Sequence, residues 1–213
     1  MTLHPALVGA KVVADSKGRF VLDLPEGFVQ TKRTAVTGTV FVAGDFPRFA
    51  VVSVTAYRLN QLLEADTAMR SLPGLPAAPA PPSVQAPQSL ADLGSASAVA
   101  QTLVRARDLE AKAAMASELT EAVFEADGSL RFSFLSPLAV ADPDELERQR
   151  GVRELKRRSS ASARLATLGL GADAVPAIVS AWGSSLSADW DNGLGKTLEQ
   201  SVSTFRWTVA SSA

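Results

Sequence analysis

Residues 159–168 read SSASARLATL, residues 174–182 read AVPAIVSAW, and residues 194–205 read LGKTLEQSVSTF. The first two stretches are short, rich in small and β-branched residues and free of helical periodicity, so strands are expected over Ser160–Leu168 and Val175–Trp182. The third places Leu194, Leu198, Val202 and Phe205 on one stripe at helical spacing, which predicts an amphipathic helix over Leu194–Phe205. A lone aromatic, Trp190, stands in the loop between them. Two strands, a loop aromatic and a terminal helix make one layer-on-layer unit.

Working back toward the start, RFVLDL (Arg19–Leu24) is a strand stopped by Pro25 and Gly27. Thr37–Ala43 is a second strand and Phe49–Arg58 a third, with Asp45–Pro47 as the turn between them. In the third strand Phe49, Val51 and Tyr57 point one way and Val52, Val54 and Ala56 the other. Apolar residues on both sides predict a sheet covered on both faces. A helix is expected from about Ser97 to Met115, with Val99, Leu103, Ala106 and Ala113 on its inner face and Ser95 or Ser97 as its cap. Leu119–Glu125 and Leu130–Ser136 read as a hairpin turning at Asp127-Gly128, a pair that tolerates positive φ. From Pro137 to about Arg158 the chain reads as a connector.

At 213 residues the chain suits one sizeable core with excursions rather than two domains. The expected division is an N-terminal segment 1–18, a single domain 19–207 and a tail 208–213. Residues 72–87 hold six of the twelve prolines, interleaved with alanine, and read as an extended insertion within the domain, at about 72–88. A net charge of −1 provides no basic footprint for nucleic acid. One histidine, His4, and no cysteine remove the common soft-ligand metal sites, disulfides, thiol nucleophiles and a Ser-His-Asp arrangement built within the fold. No enzyme activity and no cofactor are expected. No apolar run approaches the ~18–20 residues of a membrane-spanning helix, Thr34–Gly44 being the longest candidate.

Three local motifs bear on chemistry. Asp189-Trp-Asp-Asn-Gly193 starts like a calcium loop, but its sixth position is Leu194 and its twelfth Gln200, so the signature fails and a turn capped by Asn192 or Asp191 is expected. Gly193-Leu-Gly-Lys-Thr197 resembles the tail of a phosphate loop, but Trp190 stands where its first glycine belongs. Lys196 is expected to be solvated. The stretch RQRGVRELKRR supplies the one charge feature: Arg148, Arg150, Arg153, Lys156, Arg157 and Arg158, interrupted only by Glu154. One reading is a solvated loop neutralised by Asp144, Glu145 and Glu147. The other is a docking site for an acidic surface, with a strong salt dependence. Of the three tryptophans, Trp190 is expected buried and Trp207 at the surface.

The order of elements resembles the PsbP-like proteins of the thylakoid lumen. The opening strand carries Phe20, Pro25, Gly27 and Phe28; Asp92-Leu93-Gly94 starts the helix; and Arg164, Leu165, Trp190, Thr204 and Phe205 close the domain. The likeness spans about Arg19–Trp207. The proline-rich insertion, the charged connector Asp142–Arg158 and the lack of a tyrosine in the second closing strand depart from it. The resemblance implies an α+β fold, an α-β-α sandwich with a central antiparallel sheet. It implies a non-enzymatic extrinsic subunit or assembly factor, peripheral to the membrane in the chloroplast thylakoid lumen. The partner would be the lumenal face of a membrane-protein complex, photosystem II and its oxygen-evolving complex first, with a role in ion retention. Photosystem I, a chloroplast dehydrogenase-like complex, or Ran-binding-type regulation on the same fold are the alternatives. Calcium is implied by the family only. A lumenal address implies a presequence, so the chain would be the mature part of a longer one, and Val8-Gly9-Ala10 has the small residues that suit processing.

Overall fold

The computed structural model describes residues 9–15, 18–31, 38–63, 87–113, 115–169 and 174–208. Seven strands form the central sheet. They are Val29–Gln30 (β3), Thr39–Asp45 (β4), Ala50–Arg58 (β5), Glu118–Phe124 (β6), Leu130–Leu138 (β7), Leu155–Leu168 (β8) and Val175–Leu186 (β9). Their order is β3-β4-β5-β9-β8-β7-β6, every pair antiparallel. A small second sheet joins Lys11–Ala14 (β1), Phe20–Leu24 (β2) and Arg206–Trp207 (β10), with β2 in the middle. The longer helices among the described residues are Ala96–Glu110 (α1), Pro143–Arg150 (α2) and Gly195–Ser203 (α3); short helical stretches Ser187–Asp189 and Trp190–Leu194 lead into α3, where the sequence suggested a loop and a turn.

The two-sided pattern of β5 becomes two cores, one on each face of the large sheet. On one face α1 lays Val99, Ala100 and Leu103 against Tyr57, Leu130, Phe132, Phe134 and Trp182. Trp182 meets the rings of Phe132 and Phe134 edge-on, and its indole N–H donates to Thr55 Oγ1 at 2.8 Å. On the other face α3 and β2 cover Val52, Val54, Val179 and Ala181 with Leu198, Val202, Phe205, Phe20 and Leu22. Because β5 and β9 contribute to both clusters, the layers form one α-β-α sandwich around a central antiparallel sheet, as the sequence led us to expect.

The small sheet is fastened to the terminal helix by backbone-directed hydroxyls. Ser201 Oγ donates to Asp23 O at 2.5 Å, and Thr204 Oγ1 accepts from Asp23 N–H at 2.9 Å. Ser201 is fully buried and Thr204 and Asp23 are half-buried, where an unpaired partner is costly. β1 belongs to this sheet, so the folded body begins within the expected N-terminal segment.

Several elements differ from the sequence reading. α1 stops at Glu110, and Ala113 lies exposed beyond it; Lys112 has φ 49°, which ends the helix. Ser95 caps its start, accepting from Ala98 N–H at 3.3 Å. Phe49 is not in β5. It closes a short 3₁₀ turn at Phe46–Arg48 with φ 53° and is exposed. The connector is not a loop: it contains α2, capped by Asp142, and its end is the first part of β8, which begins at Leu155 instead of Ser160. β9 likewise runs to Leu186 rather than stopping at Trp182. Trp190 is buried as expected, but Trp207 is half-buried, because pairing β10 with β2 packs it on the second core. Neither Asp191 nor Asn192 caps α3. The hairpin turn stands as read, with Gly128 at φ 77°. Most of the proline-rich insertion lies outside the described residues.

Candidate functional site

Alternation in β8 builds the most developed surface feature. Ala161 and Ala163 face α1, so Ser160, Ser162 and Arg164 face the opposite side. α3 covers part of that side and ends there. Over β7 and β8 the sheet is left as the floor of a groove of roughly 720 Å³. Ser160, Ser162 and Arg164 line it with Arg131 of β7; the hairpin turn with Glu125 and Asp127 forms one wall. Lys196, Glu199 and Arg206 stand on the wall made by α3 and β10.

The groove is polar and its charges are mostly paired at its edges. Arg131 bridges Glu125 at 2.7 Å and Glu121 at 3.3 Å. Arg164 Nη2 meets Asp127 Oδ2 at 2.5 Å, while its Nε is buried without a partner among the described residues. Asp127 also accepts from the Ser129 hydroxyl at 2.6 Å and from Ser129 N–H at 3.0 Å. The Ser129 hydroxyl chiefly, then its N–H and the Arg164 guanidinium, bring the carboxyl down to about 2. Arg206 donates to Ser203 O and Phe205 O, and Lys196 is exposed. Such a surface binds by hydrogen bonds and exchanged ion pairs.

One pH dependence follows. Asp127 is lowered in the fold from a reference value of 3.8 to about 2. Its contribution to stability is therefore fully present above pH ~4 and is lost as pH falls through ~2. We expect Asp127→Asn to lower the melting temperature at pH 6 and to flatten the acid limb between pH 4 and 2. Parallel melting curves of parent and variant across that range would refute the assignment. The carboxylate is more than half exposed, so solvent screening keeps the effect small.

The six basic residues singled out in the sequence are divided by the structure. Arg148 pairs with Glu145 at 2.6 Å. Arg153 bridges Asp144 at 2.6 Å and Glu147 at 2.8 Å, which folds the segment after α2 back onto that helix. Lys156 lies 3.7 Å from Glu154. Arg158 reaches Asp191 at 3.3 Å and lies 5.6 Å from the Trp190 ring centre. Arg157, between them on a strand, faces the other side of the sheet; it donates to Phe49 O at 3.2 Å and Ser184 Oγ at 3.1 Å. Arg150 ends α2. Strand alternation separates Arg157 from Lys156 and Arg158, so the six do not form one patch. In the Asp189–Gly193 stretch the Asp191 carboxylate is likewise engaged, with Arg158. Among the described residues no group of three or more His, Asp or Glu side chains converges on a metal position.

A run of like charges along the sequence does not mark this groove, whose charged residues lie far apart in the chain. Its signal was present in Ser160–Arg164, SASAR, where polar Ser160, Ser162 and Arg164 alternate with Ala161 and Ala163. Arg131, Lys196 and Arg206 come from distant elements and had no sequence signal.

No family model matches the chain, and no curated protein matches it in sequence. Among solved structures, the solution structure of the cyanobacterial PsbP protein CyanoP from Synechocystis sp. PCC 6803 is similar, with a TM-score of 0.55 and 16% identity over 98% of each chain. The Ran-binding protein Mog1p of Saccharomyces cerevisiae superposes at a TM-score of 0.43 with 12% identity, and a point mutant of Mog1 at 0.46 with 11% identity. Each of the two covers 93% of this chain and 95% of its own. At these identities the likeness to CyanoP shows a PsbP-like fold and nothing finer.

Proposed function

We propose that the chain is a non-enzymatic extrinsic subunit or assembly and stabilising factor that docks on the lumenal face of a photosynthetic membrane complex, photosystem II first. The observation that carries this reading is the end-to-end correspondence with CyanoP, which spans both small and large sheets and the terminal helix. It agrees with the order of residues that resembles the PsbP-like family. No helix among the described residues is long and apolar enough to cross a membrane. A peripheral address, in the thylakoid lumen, is part of the same proposal, and ion retention is its finer form.

Docking would use the exposed Arg148, Arg153, Lys156 and Arg158. Each is paired at the surface with a carboxylate of its own neighbourhood. Such exposed pairs are worth only ~0–1 kcal/mol each, so an acidic partner can replace them at small cost. Changing these four to glutamine should weaken association with solubilised thylakoid complexes and reduce its salt dependence, with the melting temperature shifting by a few degrees at most. Equal binding of variant and parent at low salt would remove the docking assignment.

The broader reading is tested by pull-down from detergent-solubilised thylakoids, with the captured complex identified by mass. Recovery of photosystem II subunits, released by high salt or alkaline wash, is the expected result. Recovery of photosystem I or of a dehydrogenase-like complex would redirect the partner while keeping the class. Capture of a small GTPase, with no membrane complex, would overturn it.

A further inference from the structure

Arg107 and Arg157 stand on the α1 face of the sheet, away from the groove. Arg107 is in the last turn of α1 and lies over the rings of Phe134 and Trp182, 5.0 and 6.0 Å from their centres. Arg157 pairs with Ser136 in the β7–β8 register, and Ser136 Oγ is the acceptor for Arg107 Nη1 at 3.5 Å. Arg157 Nη1 instead reaches Ser184 on β9, while Arg107 lies over Phe134 on β7 and Trp182 on β9, so the two guanidiniums stand over the same stretch of β7–β9. Both are half-buried, and each pulls away from its usual range: burial lowers both, and the charge of Arg107 lowers Arg157 further.

Neither guanidinium forms an ion pair with a carboxylate among the described residues. Asp108, the acidic neighbour of Arg107, turns both oxygens to Ser117, accepting from its N–H and its hydroxyl at 2.8 Å each. Glu110 accepts from the Tyr57 hydroxyl at 2.8 Å. Among the described residues Arg157 spends one nitrogen, Nη1, on Phe49 O and Ser184 Oγ, and the hydrogen bond of Arg107 is the long contact to Ser136. Two half-buried like charges with donors to spare are unfavourable unless an anion neutralises them.

Ser159 supplies the second, independent observation. It is two residues along β8 from Arg157, on the same face, and is opposite Ser184 on β9 and Phe134 on β7. It is 1% exposed, and its Oγ has no hydrogen-bond partner among the described residues. A buried hydroxyl without a partner is unfavourable, and the Arg157 and Arg107 guanidiniums that bond its neighbour Ser184 and overlie its neighbour Phe134 keep further N–H donors to spare. One ligand satisfies all three: an acceptor with several oxygens and negative charge.

We propose that Arg107, Arg157 and Ser159 hold a phosphate-type oxyanion, either free phosphate or the terminal phosphate of an ester, between the end of α1 and the β7–β9 surface. Guanidinium forks and a hydroxyl match the directions of a tetrahedral oxyanion's oxygens, which a planar carboxylate fills less completely. The site is on the opposite face of the sheet from the groove, and it is independent of any docking partner.

Isothermal titration of the whole chain with inorganic phosphate, at ionic strength held constant with chloride, tests this directly. Tryptophan emission provides a second readout, since Trp182 lies beneath Arg107. Saturable binding is expected for phosphate, with acetate at least about tenfold weaker. Arg157→Gln should weaken phosphate about tenfold or more, as expected for loss of a charge-assisted hydrogen bond. The same change should leave the unliganded melting temperature equal or higher, because it removes the like-charge repulsion. Ser159→Ala, which keeps the packing, should weaken phosphate several-fold and serves in place of Arg157→Gln if that variant does not fold. Glycerol phosphate binding as well as phosphate would identify an ester as the occupant; phosphate alone would identify the free ion. Heats no larger than the chloride control, acetate binding as tightly as phosphate, or undiminished phosphate binding by the variants would overturn the proposal.

Discussion

Phe205→Ala should lower stability by about 3–5 kcal/mol, the range for deleting a fully buried phenylalanine ring. For a chain of this size that is a fall of roughly 6–20 °C in melting temperature. Phe205 is 1% exposed at the end of α3 and lies 6.3 Å, centre to centre, from Phe20, which in turn meets Phe41 edge-on at 5.5 Å. The ring therefore joins the terminal helix, the small sheet and the large sheet. Its loss opens a cavity that three layers would have to collapse into, and the hydroxyl contacts at Asp23 hold the helix back from doing so. Thermal and urea denaturation followed by circular dichroism give the number. A change under about 1 kcal/mol would mean that the tail does not pack as a lid on the strands.

The second large effect is expected at Gly183. This residue sits in the middle of β9, paired with Val52 and Ser160, where α3 crosses the sheet. A Cβ built there would lie 3.0 Å from Leu198 Cβ, 3.2 Å from Leu198 O and 3.2 Å from Val202 Cγ2. Strand propensity alone favours Gly183→Val by up to ~1 kcal/mol. Sterics oppose it, because two of the three obstacles are the Leu198 backbone carbonyl and its Cβ, which can move only with the helix. Lifting α3 would loosen Leu198, Val202 and Phe205 together. Overpacking costs ~1–3 kcal/mol and partial re-exposure of those side chains adds to it, so a net loss of about 3 kcal/mol is expected. Gly183→Ala should lose less. If Gly183→Val melts at or above the parent temperature, the close helix-to-sheet contact is wrong.

These two positions separate what could be read along the chain from what could not. Phe205 was legible: its place on a stripe with Leu194, Leu198 and Val202 announces a buried helix face. Trp190 was legible as buried, although it stands in the helical stretch Trp190–Leu194 and not in a loop. Gly183 was not, since a glycine in a strand signals a bend, a bulge or a close approach equally well, and only the helix above it decides. The same limit applies to the basic residues. The run from Arg148 to Arg158 reads as a single cationic feature, but Lys156, Arg157 and Arg158 belong to a strand. Extending β8 back to Leu155 sends Arg157 to one face and its neighbours to the other. Pairing with β7 from Leu155↔Leu138 to Leu130↔Ala163 makes that extension, and no local pattern marks it. α2 was hidden for a related reason. None of Pro143–Gln149 is buried, so no apolar periodicity was available to read, and only Asp142 as a cap and Pro143 at the first turn hinted at it.

Local chemistry along the chain was enough to establish a mixed fold with a two-sided antiparallel sheet, a helix capped at Ser95 or Ser97, a hairpin turning at Asp127-Gly128 and a terminal amphipathic helix. Those features depend on the period of apolar residues and on turn and cap residues, which act within a few positions of each other. Tertiary structure alone decided which strands are neighbours, that β1 and β10 complete a second sheet, and which side of the sheet each arginine faces. It also decided that Arg107 and Arg157, fifty residues apart, share one half-buried place with Ser159. Register and layer contacts are made between segments distant in sequence, so their energies leave no trace in any short stretch of it.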